Sequence, residues 1–178
     1  MRSKLMILAI SALALGACSK GGVEAKNESA ESVAKKVAAS DVKPNPGRWQ
    51  TTMKLEKMEM PGMTPQMQEQ LKRASAMSKD IVTCLTPEQV NRPNAGFFGA
   101  QESGCTYQHF TMAGGNIDAE MTCNRGAMQM HMTMQGTYSP DSYNIRVTNQ
   151  GDMGGRPMST TMAMEARRVG ECNGTEMK

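Results

Sequence analysis

Methionine decides what this chain can fold into. Between Trp49 and Lys178 there are 17 methionines, but only ten leucines, isoleucines and valines together. A folded domain must take apolar surface out of water, so methionine has to supply most of the core. The stretch AMQMHMTMQG, Ala127 to Gly136, sets Met128, Met130, Met132 and Met134 at every second position around His131. Period two is the pattern of a half-buried β-strand. The flexible thioether side chain fills irregular gaps, at some loss of packing definition.

The second half of the chain reads as a run of hairpins. Gly114-Gly115 suits a two-residue turn, which pairs Met112 with Ile117, Phe110 with Ala119, His109 with Glu120 and Thr106 with Cys123. A next turn near Asn124-Arg125 pairs Met121 with Met128, Ala119 with Met130 and Ile117 with Met132, because a one-residue slip would turn every methionine to the other face. That register sets His131 opposite Asp118. Around Ser139 to Ser142, Tyr138 pairs with Tyr143 and Met134 with Val147. A last strand carries Met158, Met162 and Met164 on the same face. In the first half, Trp49, Thr51, Met53 and Leu55 alternate as in a strand. Thr64 and Pro65 then start a helix with Met67, Leu71, Ala74 and Met77 at helical spacing. Asp80 to Leu85 is a short strand, Thr86-Pro87-Glu88 repeats the cap signature, and Asn91 to Ser103 is a glycine-rich loop with Phe97 and Phe98. The fold class expected is α+β: a curved antiparallel meander of about six to seven strands with one packed amphipathic helix and two disulfides.

The chain opens MRSKLMILAISALALGACSK. A basic start, an apolar run from Leu5 to Leu15 and small residues before a cysteine have the form of an export signal, too short to span a bilayer. Leu15-Gly16-Ala17-Cys18 resembles the lipobox of bacterial lipoproteins. The resemblance implies cleavage after residue 17 and acylation of Cys18, and Ser19 implies the outer membrane, facing the periplasm. Residues 18–46 contain four valines as their only large apolar groups. They are expected to be a lipidated N-terminus and flexible tether, with a helical tendency around Ser29 to Ala39, ahead of a β-rich domain at 47–173 and a tail at 174–178.

Four further cysteines, Cys84, Cys105, Cys123 and Cys172, are an even number in an exported chain and predict two disulfides. No two have the close spacing of a zinc knuckle. In the derived register Cys105 and Cys123 point to opposite faces, which excludes their bridge. The pairing preferred is Cys84–Cys105 with Cys123–Cys172, over Cys84–Cys123 with Cys105–Cys172.

The same residues allow rival chemistries. Thioethers suit Cu(I) or Ag(I), so Met128, Met130, Met132 and Met134 form an alternative metal site, although His131 lies on the opposite face. His109, Asp118, Glu120 and His131 share the polar face and could hold zinc or copper, or simply form cross-strand charge pairs. No serine-hydrolase elbow, metalloprotease helix, phosphate loop or nucleotide fingerprint is present, so no enzyme activity and no cofactor are expected. Removing residues 1–17 leaves a formal charge of about +1 with scattered signs, which gives no footprint for nucleic acid.

The order of landmarks resembles a bacterial family. They are Pro46-Gly47-Arg48-Trp49, Pro61-Gly62-Met63, Cys84 followed by Thr86 and Pro87, Cys105, Cys123, Gly136-Thr137-Tyr138, and Gly170 with Cys172. The chain is similar, over about residues 46–173, to the domain-of-unknown-function 3617 family of exported proteins. The resemblance implies an extracytoplasmic β-rich domain with a cysteine framework, and implies no activity. The expectation is a membrane-anchored binding module for a small apolar ligand or an envelope protein partner. Cys18→Ala should abolish incorporation of labelled fatty acid and leave unprocessed precursor; normal maturation of that variant would refute the lipobox.

Overall fold

Alternation in the second half of the chain produces an antiparallel meander. In a computed structural model, residues 21–76, 80–91, 104–125, 128–152 and 155–176 are described. Cys18, Met77 and the loop carrying Phe97 and Phe98 lie outside them. Strands β4 (Cys105–Ala113), β5 (Asn116–Arg125), β6 (Met128–Ser139), β7 (Ser142–Asp152) and β8 (Pro157–Gly170) follow one another in space as in sequence. Strand β1 (Val23–Ser29) extends the sheet beyond β4. Strands β2 (Gly47–Glu59) and β3 (Ile81–Leu85) extend it beyond β8. The result is one open sheet of eight strands in the order β1-β4-β5-β6-β7-β8-β2-β3. The count exceeds the expected six to seven because the region before Gly47 adds a strand.

That region is the largest departure from expectation. Residues 23–42, expected within a flexible tether, form β1 and helix α1 (Ala30–Ala38), and both join the core. Average composition concealed the periodicity. Val23 and Ala25 alternate inward, then Ala30, Val33, Ala34 and Val37 recur at helical spacing and are all buried. Ser29 caps the helix by accepting from Ser32 N–H at 3.2 Å, and Glu31 sits in the positive first turn. Glu28 ties strand to helix, accepting from Ser32 Oγ at 2.7 Å and from Lys36. Small side chains on this stripe let α1 lie close over Tyr107 and Phe110, whose rings meet edge to face at 5.2 Å.

The helix expected to pack against the sheet behaves differently. Helix α2 (Pro65–Ala76) starts where Thr64 and Pro65 place it, and Met67 N–H bonds Thr64 Oγ1 at 3.3 Å. Its apolar residues Met67 and Leu71 are nevertheless 48% and 38% exposed. Helix α2 touches β2, where Gln68 donates to Met58 O at 3.1 Å, but the helix buried in the core is α1. Helix α3 (Pro87–Asn91) carries a reciprocal cap: Gln89 N–H bonds Thr86 Oγ1 at 3.2 Å, and Thr86 N–H bonds Gln89 Oε1 at 2.8 Å.

Hairpin registers agree with expectation in part. Met112 pairs with Ile117, Phe110 with Ala119, His109 with Glu120, Tyr138 with Tyr143 and Met134 with Val147. Met158, Met162 and Met164 share a face. Two registers differ. The β5–β6 ladder runs on to Arg125 opposite Met128, so Met121 pairs with Met132, four residues from the expected partner. A longer ladder satisfies more backbone groups, and an even shift keeps every methionine on its assigned face. His131 therefore lies opposite Thr122, and Asp118 opposite Gln135.

The second difference is a bulge in β4, where the register shifts between Tyr107 and His109. Gln108 is the extra residue, and its amide reaches Thr122 Oγ1 at 2.9 Å. At the same level of β1 lies Asn27, the only described non-glycine residue with positive φ, at 53°. One extra residue reverses the inward set below it. Cys105 thus turns inward, directly opposite Cys123, and the two form a disulfide with Cα atoms 4.0 Å apart. Cys84 bonds Cys172, Cα to Cα 5.4 Å. Both preferred pairings are overturned, and the excluded bridge is present. The methionine faces survive because the bulge is local. Arg48 lies between Cys84 on β3 and Gly170 on β8, so the second bridge reaches across β2.

Val33→Asp should unfold the chain or cost several kcal/mol, because Val33 is fully buried. Glu24→Gln, on the exposed side of β1, should stay within about 0.5 kcal/mol. Equal chemical-denaturation midpoints for the two variants would return residues 23–42 to the status of a tether.

Candidate functional site: a half-open methionine face

The two faces of the sheet differ sharply. Inward residues on β4 to β7 (Tyr107, Phe110, Met112, Ile117, Ala119, Met121, Met134, Ile145 and Val147) are buried with α1 as one cluster, in which no polar or charged residue is buried. Farther along the same face the cover is incomplete. Met130, Met132 and Met164 are only partly buried against the cluster, and Met53, Leu55, Met58, Met158 and Met162 are half-buried. Pairing places Met53 beside Met164, Leu55 beside Met162, and Met130 level with Gly151 and Met158. The methionines expected as one group therefore divide. Met134 belongs to the closed core, Met130 and Met132 to the half-open part, and the Met128 side chain lies outside the described residues.

Polar groups interrupt this surface. Asn149 points inward between Met132 and Thr160, and its Oδ1 is buried without a hydrogen-bond partner among the described residues. A buried acceptor left unpaired is costly. At the rim, Met60, Pro61, Gly151, Pro157 and Met158 line a concavity of about 460 Å³, within the size range of small-molecule sites. Sequence reasoning missed Asn149, because period two alone marks it as inward but not as unpaired.

The polar face holds the histidines. His109 lies between two carboxylates: its Nε2 contacts Asp118, and its Nδ1 is 3.6 Å from Glu120. His131 Nε2 is 2.7 Å from the other oxygen of Glu120. Gln135 donates to Asp118 at 2.9 Å. The four residues form a chain of pairs, and among the described residues no three His, Cys, Asp or Glu side chains converge as a metal ion requires. The His109 contact and the Gln135 amide hold the Asp118 carboxyl below its ordinary value. A second concavity on this face, about 370 Å³, is bordered by Gln50, Thr52, Asp80, Asn144, Glu165 and Arg167. Asp80 accepts from Thr52 at 2.6 Å and from Gln50, which keeps it ionised to lower pH. Glu56, the extra residue of a β2 bulge, reaches over Ala163 to hold Arg146 in two bonds of 2.6 and 3.0 Å. These groups satisfy one another.

The landmarks Pro46 to Trp49, Cys84, Gly136 to Tyr138, Gly170 and Cys172 gather in one corner and are structural. Trp49 is buried, stacks on Tyr143 at 6.1 Å between centroids and donates to Asn45 O at 3.0 Å. Gly47, at φ 140°, leaves room for Gly170 O and the Arg168 guanidinium, which bonds Pro46 O at 2.7 Å. A side chain at Gly136 would strike Asn144 O. Cys172 then bridges to Cys84.

Because its folded pKa is lowered, Asp118 adds stability above the ordinary carboxylate range that is lost as pH falls through the folded value. His109→Ala should raise the Asp118 pKa towards 3.8, read by carboxyl NMR titration; an unmoved titration would mean the contact does not form in solution.

No curated protein and no solved structure matches the chain. A family model matches residues 44–172, from just before Gly47 to the last cysteine, so the chain belongs to the family described as protein of unknown function (DUF3617).

Proposed function

We propose that the chain is a non-enzymatic envelope lipoprotein, anchored through Cys18 in the outer membrane and facing the periplasm, that binds a small apolar ligand on its half-open methionine face. The observation that carries this reading is the uneven cover of one continuous apolar face. Helix α1 closes it over β1 and β4, while Met53, Met130, Met132, Met158 and Met162 stay partly exposed on β2, β6 and β8. Methionine surfaces adapt to apolar guests of varied shape. A protein partner would use the same face. The second reading, a Cu(I) or Ag(I) binder, is favoured by the number of thioethers that share this partly exposed face.

Two sets of variants separate these readings. Leucine keeps apolar bulk and removes sulfur; glutamine keeps length and adds polarity. The chain exported without its anchor should bind N-phenyl-1-naphthylamine saturably. Met132→Gln with Met158→Gln and Met162→Gln should weaken binding at least about tenfold, equal to 1.4 kcal/mol. The matching leucine variant should stay within about twofold. Absence of saturable binding in the parent chain would overturn the ligand reading. Stoichiometric Cu(I) binding lost in the leucine variant would establish the second.

A further inference from the structure

The chain between anchor and fold is far shorter than composition suggested. Only Ser19, Lys20, Gly21 and Gly22 separate Cys18 from Val23, the first residue of β1. Five residue steps span at most about 17 Å when fully extended. Val23 pairs with Met112, and a Cβ on Gly22 would lie 2.7 Å from that of Ala113, so the chain enters the fold beside the Gly114–Gly115 turn. That turn adjoins the one between β6 and β7: Tyr138 N–H bonds Gly115 O at 2.9 Å, and Asn45 N–H bonds Pro140 O at 2.7 Å. Together the two turns present Gly114, Gly115, Asn116, Ser139 and Pro140, all uncharged, and Asp141, whose carboxylate receives Asn45 at 3.0 Å. Small uncharged groups offer little resistance to a layer of lipid headgroups.

We infer that this pole, the Gly114–Asn116 and Ser139–Asp141 turns, faces and touches the bilayer surface. The inference rests on the reading of Cys18 as the lipidated residue. A tether of four residues holds the domain in one orientation, where a tether of 28 would have let it turn freely. The opposite end of β4 and β5, with the Cys105–Cys123 bridge, then points away from the lipid. Asn116 and Asn124 are both exposed on β5 and lie about 27 Å apart along it. They report the two ends.

The test uses the full lipidated chain, extracted and reconstituted in phosphatidylcholine vesicles containing brominated phosphatidylcholine. Asn116→Cys or Asn124→Cys carries a bimane label, with both disulfides verified by peptide mapping. Bromine should quench the Asn116 label at least about threefold more than the Asn124 label. A 20-residue Gly/Ser insertion between Lys20 and Gly21 should erase that difference. Equal quenching at the two sites in the uninserted, acylated chain would overturn the assignment of the pole. A difference that persists after insertion would overturn the role of the short tether. Mass spectrometry of the N-terminal peptide separates these failures from that of the anchor: a peptide without acyl chains refutes the Cys18 reading itself.

Discussion

An open sheet with one apolar face is stable only if something covers that face. Here the cover is a nine-residue helix built from alanine, valine, lysine, glutamate and serine. Its apolar stripe is made of small groups, so its backbone can approach the sheet where Tyr107 and Phe110 supply bulk. Small against large gives dense packing without a leucine in the helix. The short N-terminal strand delivers the helix directly onto the sheet, and Glu28 joins the two. What α1 covers is core, and what it leaves partly open is the candidate site.

The meander was legible because strand alternation is strict where one face is buried. Gly114-Gly115 and Ser139 to Ser142 marked their turns, and the pairs beside them are those observed. Accuracy decays with distance from a turn. Gln108 carries no mark that distinguishes a bulge residue from any polar strand residue, yet it alone brings Cys105 opposite Cys123. Excluding that bridge assumed a ladder unbroken over nine residues. The β5–β6 register slipped by four because periodicity fixes parity, not position. The N-terminal region was misjudged by a different route: four valines are few, but Val23, Val33 and Val37 occupy inward positions on β1 or α1, and Val42 just after the helix is buried too. Of the candidate site, the methionine face was legible; its division into closed and half-open parts depends on tertiary cover, which no local pattern records.

Methionine brings a cost to such a core, because its side chain loses more rotamer freedom on burial than leucine or isoleucine. The two disulfides act where that cost falls. Cys105–Cys123 lies within the buried cluster beside Met121, and Cys84–Cys172 clasps the far edge of the sheet. Cross-links lower the entropy of the unfolded chain, so they offset flexibility in the folded state without requiring stiffer side chains.

The strand order has a further consequence for biogenesis. A chain is made from its N-terminus, but β1 pairs with β4, and β2 pairs with β8, the last strand of all. Met53 meets Met164 only when nearly the whole sequence is available. Until then β2 and β3 have no neighbour except one another, and their apolar residues wait in the open, whereas β1 finds its partner as soon as β4 is made. Non-local pairing of this kind folds slowly and exposes strand edges on the way. The late arrival of β8 and Cys172 makes completion of this sheet a single closing event, and places the chain's greatest hazard of misassembly before that moment.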